Sequence, residues 1–184
     1  MRVFGIDPGS ERTGYGCIDT DGQRHRLVAS GAISLPARVP FPERLQQIHE
    51  GLSSLLREYR PDLVAIENLF YATNARSALK LGHARGVAML AAVEAGLAVI
   101  EYTPAEVKRA VVGYGRAEKQ QVAEMVRVLL HLDAAPAPFD ASDALAVAIC
   151  HVHATGGAVA LPADAQRLPR SWRQWRPPAG SRPS

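Results

Sequence analysis

Cysteine is nearly absent from this chain: among 184 residues only Cys17 and Cys150 occur. Two thiols so far apart make neither a disulfide framework nor a metal-ligand spacing, so small buried side chains in a reducing compartment are expected. No run of about 18 apolar residues occurs, which excludes an ordinary membrane-spanning helix. The opening Met1-Arg2-Val3-Phe4-Gly5-Ile6-Asp7 lacks the long apolar stretch and small-residue cleavage site of a secretory leader, and a cytoplasmic protein is expected. His83, His131, His151 and His153 fall into no metal-site spacing, which leaves them ordinary structural roles. Gly113 and Gly115 are followed by neither the third glycine nor the Lys-Ser pair of a phosphate loop. Internal repeats are lacking too.

A strong excess of either charge is also missing. The net charge is +3, and from Leu161 onward five arginines against Asp164 contribute +4, which leaves −1 for residues 1–160. Binding to nucleic acid must therefore rest on local clusters, since salt screens phosphate contacts within ~10 Å. The length suits one domain, and 47% hydrophobic residues suffice for a sizeable core. We expect that domain over residues 1–157. Residues 158–184, rich in Pro, Arg, Ala and Gly without periodicity, read as a disordered tail. Its arginines, interleaved with Trp172 and Trp175, suit non-specific DNA attraction, a partner, or simple solvation.

What is present is an alternation of strand and helix patterns. Val3–Asp7 is a short apolar run closed by the turn Pro8-Gly9-Ser10; Tyr15–Asp19 and Leu27–Leu35 are β-rich stretches flanking a turn at Asp21-Gly22. Leu45, Ile48, Leu52, Leu55 and Leu56 mark a helix over Glu43–Tyr59, ended by Pro61. Leu63–Glu67 lacks alternation, as in a sheet covered on both faces. A helix over Ala75–Ala95 carries Leu79, Gly82, Gly86, Met89 and Val93 along one side, with the glycines offering a smooth groove for close helix packing. A strand over Ala98–Tyr102 follows, then a helix opened by Thr103-Pro104, a helix over Ala117–Leu132, and a last one over Ala141–Ala154. Strands first and then alternating elements predict an α/β protein with a sheet of about five strands and helices on both faces.

Four acids stand out against this frame. Asp7 ends the first strand and Glu67 the fourth, and strand ends in such sheets overlook a shared crevice. Asp140 and Asp143, three apart at the start of the last helix, share one face of it. Carboxylates that converge repel and are driven neutral unless a cation compensates them. Oxygen ligands without Cys or His favour Mg²⁺, with Mn²⁺ as a substitute, and two ions ~3.5–4 Å apart can activate water and hold a scissile phosphate. Each acid also has a plainer reading: Asp140 and Asp143 as helix-cap and dipole partners, Asp7 as a turn former. Glu67, closing a buried apolar strand, has little structural reason to be an acid. Arg76, Lys80 and Arg85 lie along one helix, and Arg109 and Arg116 lie further on; phosphate contact and a solvated helix face both fit them.

In motif order the chain resembles the RuvC family of crossover-junction endodeoxyribonucleases. The resemblance rests on FGIDPGSERTGYG from Phe4, AIENLF from Ala65, SALKLGHARG from Ser77, VVGYGRAEK from Val111 and DASDALAVA from Asp140. It implies a ribonuclease-H-like fold, a homodimer, magnesium, and symmetrical nicks in a Holliday junction, with a branch-migration motor as a further partner. By position it implies that Asp7, Glu67, Asp140 and Asp143 are the metal-binding and catalytic acids, although some relatives carry histidine where this chain has Asp140. Lys119 and Lys108 match lysines placed near DNA and the reacting phosphate, and Phe70 matches an aromatic that stacks on bases. A core role for Phe70 stays open. An isologous dimer, with the second helix at its interface, would offer two equivalent sites to the two strands of a junction.

Other readings remain at this level. The Asp7-Pro8-Gly9-Ser10 turn fits sugar kinases and actin-like ATPases, although those need a second domain. A related RNA-processing nuclease and a catalytically inert junction binder complete the alternatives.

Overall fold

The structure, a computed structural model, describes residues 1–68 and 74–156; Phe70 and the tail expected over 158–184 lie outside the described residues. Strand β1 (Arg2–Asp7) pairs antiparallel with β2 (Arg12–Thr20), which pairs antiparallel with β3 (His25–Ser34). Between β2 and β3 the Asp21 carboxylate accepts the amides of Gln23 and Arg24 at 2.9 and 2.8 Å, and Gly22 takes a φ of 96° that its missing Cβ allows. On its other edge β1 runs parallel to β4 (Leu63–Glu67), and β4 parallel to β5 (Ala98–Tyr102). The mixed sheet has the order β3-β2-β1-β4-β5.

Helices cover both faces. Helices α1 (Phe41–Tyr59) and α2 (Ala75–Glu94) pack on one; α3 (Pro104–Val112), α4 (Lys119–Leu129) and α5 (Phe139–Ala154) pack on the other. Strand alternation divides the core accordingly. Phe4, Ile6, Val64 and Ile66 join the α1–α2 side, while Val3 and Ala65 join the α5 side. By the same period of two, Asp7 and Glu67 belong to the α5 side.

Eleven of the 16 residues of α5 are buried, so it is the central helix of its layer. It is seated very close to the sheet. A Cβ on Gly5 would collide with the Ala144 carbonyl oxygen, and one on Gly14 with the Asp140 carbonyl oxygen. These two glycines of β1 and β2 thus set how near the acids of α5 come to the strand ends.

Helix α3 begins as expected from Thr103-Pro104, reinforced by a capping box: Thr103 Oγ1 accepts the Glu106 amide, and Glu106 accepts the Thr103 amide at 2.7 Å. Several expected bounds shift: β2 begins at Arg12 rather than Tyr15, β3 at His25 rather than Leu27, and α1 and α5 two residues early, at Phe41 and Phe139. Helix α4 starts at Lys119 rather than Ala117, because Glu118 is its extended cap residue and donates its amide to Gln121 Oε1 at 2.9 Å. It stops at Leu129, short of His131, whose φ of 54° is incompatible with a continuing right-handed turn. Helix α2 spans its expected residues, and the structure adds which side faces inward. It buries Ala84, Ala88, Ala91 and Ala92, and leaves Leu79 and Val93 at 64% and 62% exposed. A Cβ on Gly82 or Gly86 meets open space, so within the described residues no helix packs closely there. Packing against α1 and the sheet takes the alanine face, which leaves Leu79, Leu90 and Val93 turned outward while Met89 stays half-buried against the core.

Candidate active site

Strand register brings the first two acids together. Ile6 pairs with Ile66 across the parallel β1–β4 ladder, so Asp7 and Glu67 are the next residues on neighbouring strands, both on the α5 side. The first turns of α5 present Asp140 and Asp143 to the same place. All four acids line one cleft of about 360 Å³, together with Arg12, Lys108 and Lys119. Lys119, the first residue of α4, donates to Asp143 Oδ2 at 2.7 Å.

The electrostatics are those of crowded acids. Burial raises the Asp7 pKa well above its ordinary range, and the neighbouring charges of Glu67 and Asp143 push it further. Burial likewise lifts Glu67 to about 7, with the charge of Asp143 adding to the shift and Lys119 opposing it. The hydrogen bond to Asp143 raises the pKa of Lys119, so its ammonium is held charged. All the acidic ligands offered are hard oxygens, which fit a magnesium-like ion and suit soft metals poorly. Among the described residues, no three His, Cys, Asp or Glu side chains stand close enough together to hold a metal ion as they lie. The acids are gathered around a shared space and are not collapsed onto one point.

A stability prediction follows from Glu67. Its pKa is raised in the folded chain, so the folded state keeps a proton that the unfolded chain loses near 4.5. The contribution is fully present below the unfolded value and is lost as pH rises through about 7. The lost part is on the order of 3 kcal/mol. Metal-free protein is therefore expected to melt lower at pH 8 than at pH 5, and Glu67→Gln to flatten that fall. Thermal unfolding across this range, in chelator, checks it; equal slopes for the two proteins would remove Glu67 as the cause.

The remaining expected residues are placed differently. Lys108 lines the cleft; Arg76 and Arg116 are exposed and do not line it. Lys80 lies 5.7 Å from the Phe41 ring, and Arg85 pairs with Glu101, so both have local partners away from the acids. Arg109 lines a separate pocket beside Cys150 and His153. Three of the histidines are engaged structurally: His83 Nδ1 meets the Leu79 carbonyl at 2.7 Å, His151 Nδ1 meets Tyr102 Oη at 2.9 Å, and His153 Nδ1 the Ala110 carbonyl at 2.8 Å. Both cysteines are free and buried, and burial pushes each thiol up to about 12, so neither is a nucleophile at neutral pH. One further charged residue lines the cleft. Arg12, half exposed, reaches Asp140 Oδ2 at 3.4 Å. No local spacing signals it: the pairing of Gly14 with Asp7, which puts the start of β2 beside the end of β1, shows only in the folded hairpin.

A mixed five-stranded sheet in this order, with acids gathered over the ends of its central strands, defines the ribonuclease-H-like class. The sequence profile described as "Crossover junction endodeoxyribonuclease RuvC" matches residues 3–151. The crossover junction endodeoxyribonuclease RuvC of Syntrophotalea carbinolica is 60% identical over 153 residues, covering 83% of this chain and 94% of that protein. That of Koribacter versatilis is 53% identical over 166 residues, covering 90% of this chain and 100% of that protein. Among solved structures, Thermus thermophilus RuvC in complex with a Holliday junction substrate matches with a TM-score of 0.78 at 36% identity, covering 88% of this chain and 99% of that one. The chain belongs to the RuvC family of crossover junction endodeoxyribonucleases.

Proposed function

We propose that the chain resolves four-way DNA junctions in recombination and repair by paired, magnesium-dependent nicks, with Asp7, Glu67, Asp140 and Asp143 as the metal-holding acids. The observation that carries this reading is the meeting of four carboxylates from three distant segments in one cleft, two of them with strongly raised pKa values. A pair of divalent ions, when bound, supplies an activated water and stabilises the leaving oxygen. Asp7 and Glu67 provide the rigid side of the site, since both stand on hydrogen-bonded strands. Asp140 and Asp143 complete it from α5. Lys119, steadied by Asp143 and itself 66% exposed, holds a positive charge where a phosphate oxygen would arrive. Lys108 contributes a second charge on the same wall. Phe70 serves as the base-stacking aromatic, a contact worth ~1–3 kcal/mol. Arg76 and Lys80 are more remote phosphate contacts.

The assembly is a homodimer joined through α2. Leu79, Leu90 and Val93, at 64%, 50% and 62% exposure, give that helix the apolar outer face an isologous interface needs, and Gly82 and Gly86 leave room for a second backbone.

Incubation with a synthetic four-way junction tests the proposal. Paired nicks are expected with Mg²⁺ and none in chelator. Stabilisation by ATP without any nicking would instead favour the nucleotide-binding class.

A further inference from the structure

The cleft holding the four acids shares a wall with a second, larger groove. Gly9, Arg12 and Asp140 line both. Beyond that wall the groove opens to about 680 Å³ along residues 34–37, where β3 ends. Lys108 and Lys119 line the active cleft and not this groove, in which Arg12 is the only cation among the described lining residues.

The turn that carries Arg12 is pinned at three points. Thr13 Oγ1 donates to the Gly9 carbonyl at 2.9 Å, the Leu35 amide to the Glu11 carbonyl at 2.8 Å, and Arg44 Nη1 to the Ser10 carbonyl at 3.1 Å. Thr13 and Arg44 are themselves buried, and Arg44 packs over the Phe41 ring. The backbone beneath Arg12 is therefore fixed, while its side chain is half exposed and, among the described residues, held only by a long contact to Asp140. Lys119 on Asp143, at 2.7 Å, is held far more tightly.

We propose that this second groove seats the DNA strand flanking the scissile phosphodiester, and that Arg12 grips a backbone phosphate there. The inference rests on the junction-cutting reading of the neighbouring cleft. A strand whose phosphate sits among the acids must leave the cleft on some side, and past Arg12 the cleft adjoins this open groove. Guanidinium donors match phosphate oxygens in pairs, and a cation engaged by Asp140 would free Arg12 from its present partner. Glu11, also on the groove, opposes the strand, so its removal should strengthen binding.

The test compares wild type, Arg12→Gln, Arg12→Lys and Glu11→Gln for binding to a synthetic four-way junction across a salt series, with Ca²⁺ replacing Mg²⁺, and for nicking across a Mg²⁺ series. Expected for Arg12→Gln is a slope of log affinity against log salt shallower by about 1, with affinity at physiological salt roughly tenfold weaker. Arg12→Lys should recover most of the slope, and Glu11→Gln should bind more tightly than wild type. An unchanged slope in Arg12→Gln overturns the proposal; joined to a lower Mg²⁺ requirement, it would make Arg12 a mere counter-ion of Asp140. Wild type that neither binds nor nicks the junction would overturn the junction-cutting reading, and this inference with it.

Discussion

Asp7→Asn is expected to bind a four-way junction with nearly wild-type affinity and to nick it at least about 10³-fold more slowly. The substitution keeps the shape of the side chain and removes its charge. Affinity for DNA generally comes from lysine and arginine contacts to phosphates, which this change leaves in place. Divalent-ion binding, by contrast, depends on the summed charge of the acids, and Asp7 sits among all three others. The same variant should melt higher than wild type in chelator, because burial and neighbouring charge both oppose the ionised form of Asp7. Binding is read by gel shift in Ca²⁺, nicking in Mg²⁺, and melting in chelator. Nicking at the wild-type rate would remove Asp7 from the chemistry.

Gly14→Ala is expected to lose both stability and activity although residue 14 touches no substrate in this scheme. Its added methyl would meet the carbonyl oxygen of Asp140, a backbone atom at the start of α5 that no rotamer change can move aside. Overpacking of this kind costs about 1–3 kcal/mol. The larger consequence is positional. Displacing the first turn of α5 carries Asp140 and Asp143 away from Asp7 and Glu67, and a shift of about 1 Å in a catalytic constellation can cost 10²-fold in rate. A fall in kcat for the folded variant, measured well below its melting temperature, separates this geometric effect from simple unfolding. Wild-type kcat together with a wild-type melting temperature would show that α5 can retreat without moving its acids.

Much of this architecture was readable in the chain itself. The strand Leu63–Glu67 was assigned with its observed limits, because a short apolar run bounded by Pro61 and Asn68 has few alternatives. The acids at strand ends were legible for a related reason: a charge that closes a buried strand must look into a crevice or be wasted. Helix α2 was less transparent. Both of its sides are apolar, one built from alanines and one from Leu79, Met89 and Val93, so periodicity located the helix without deciding which side faces inward. Packing against α1 and the sheet decided it for the small residues. Arg12 was hidden differently. It joins Asp140, 128 positions further along, only because β2 folds back on β1 while α5 lies across both. Neither hairpin register nor helix placement is carried by local spacing.

The central claim is that four acids tolerate one another only with divalent cations between them. Carbon-13 NMR of the Glu67 carboxyl, titrated with and without Mg²⁺, reads it most directly. The metal-free protein should show Glu67 changing protonation near pH 7, and saturating Mg²⁺ should drive that transition below its ordinary value of 4.5. A Glu67 that titrates near 4.5 in both conditions would contradict the account.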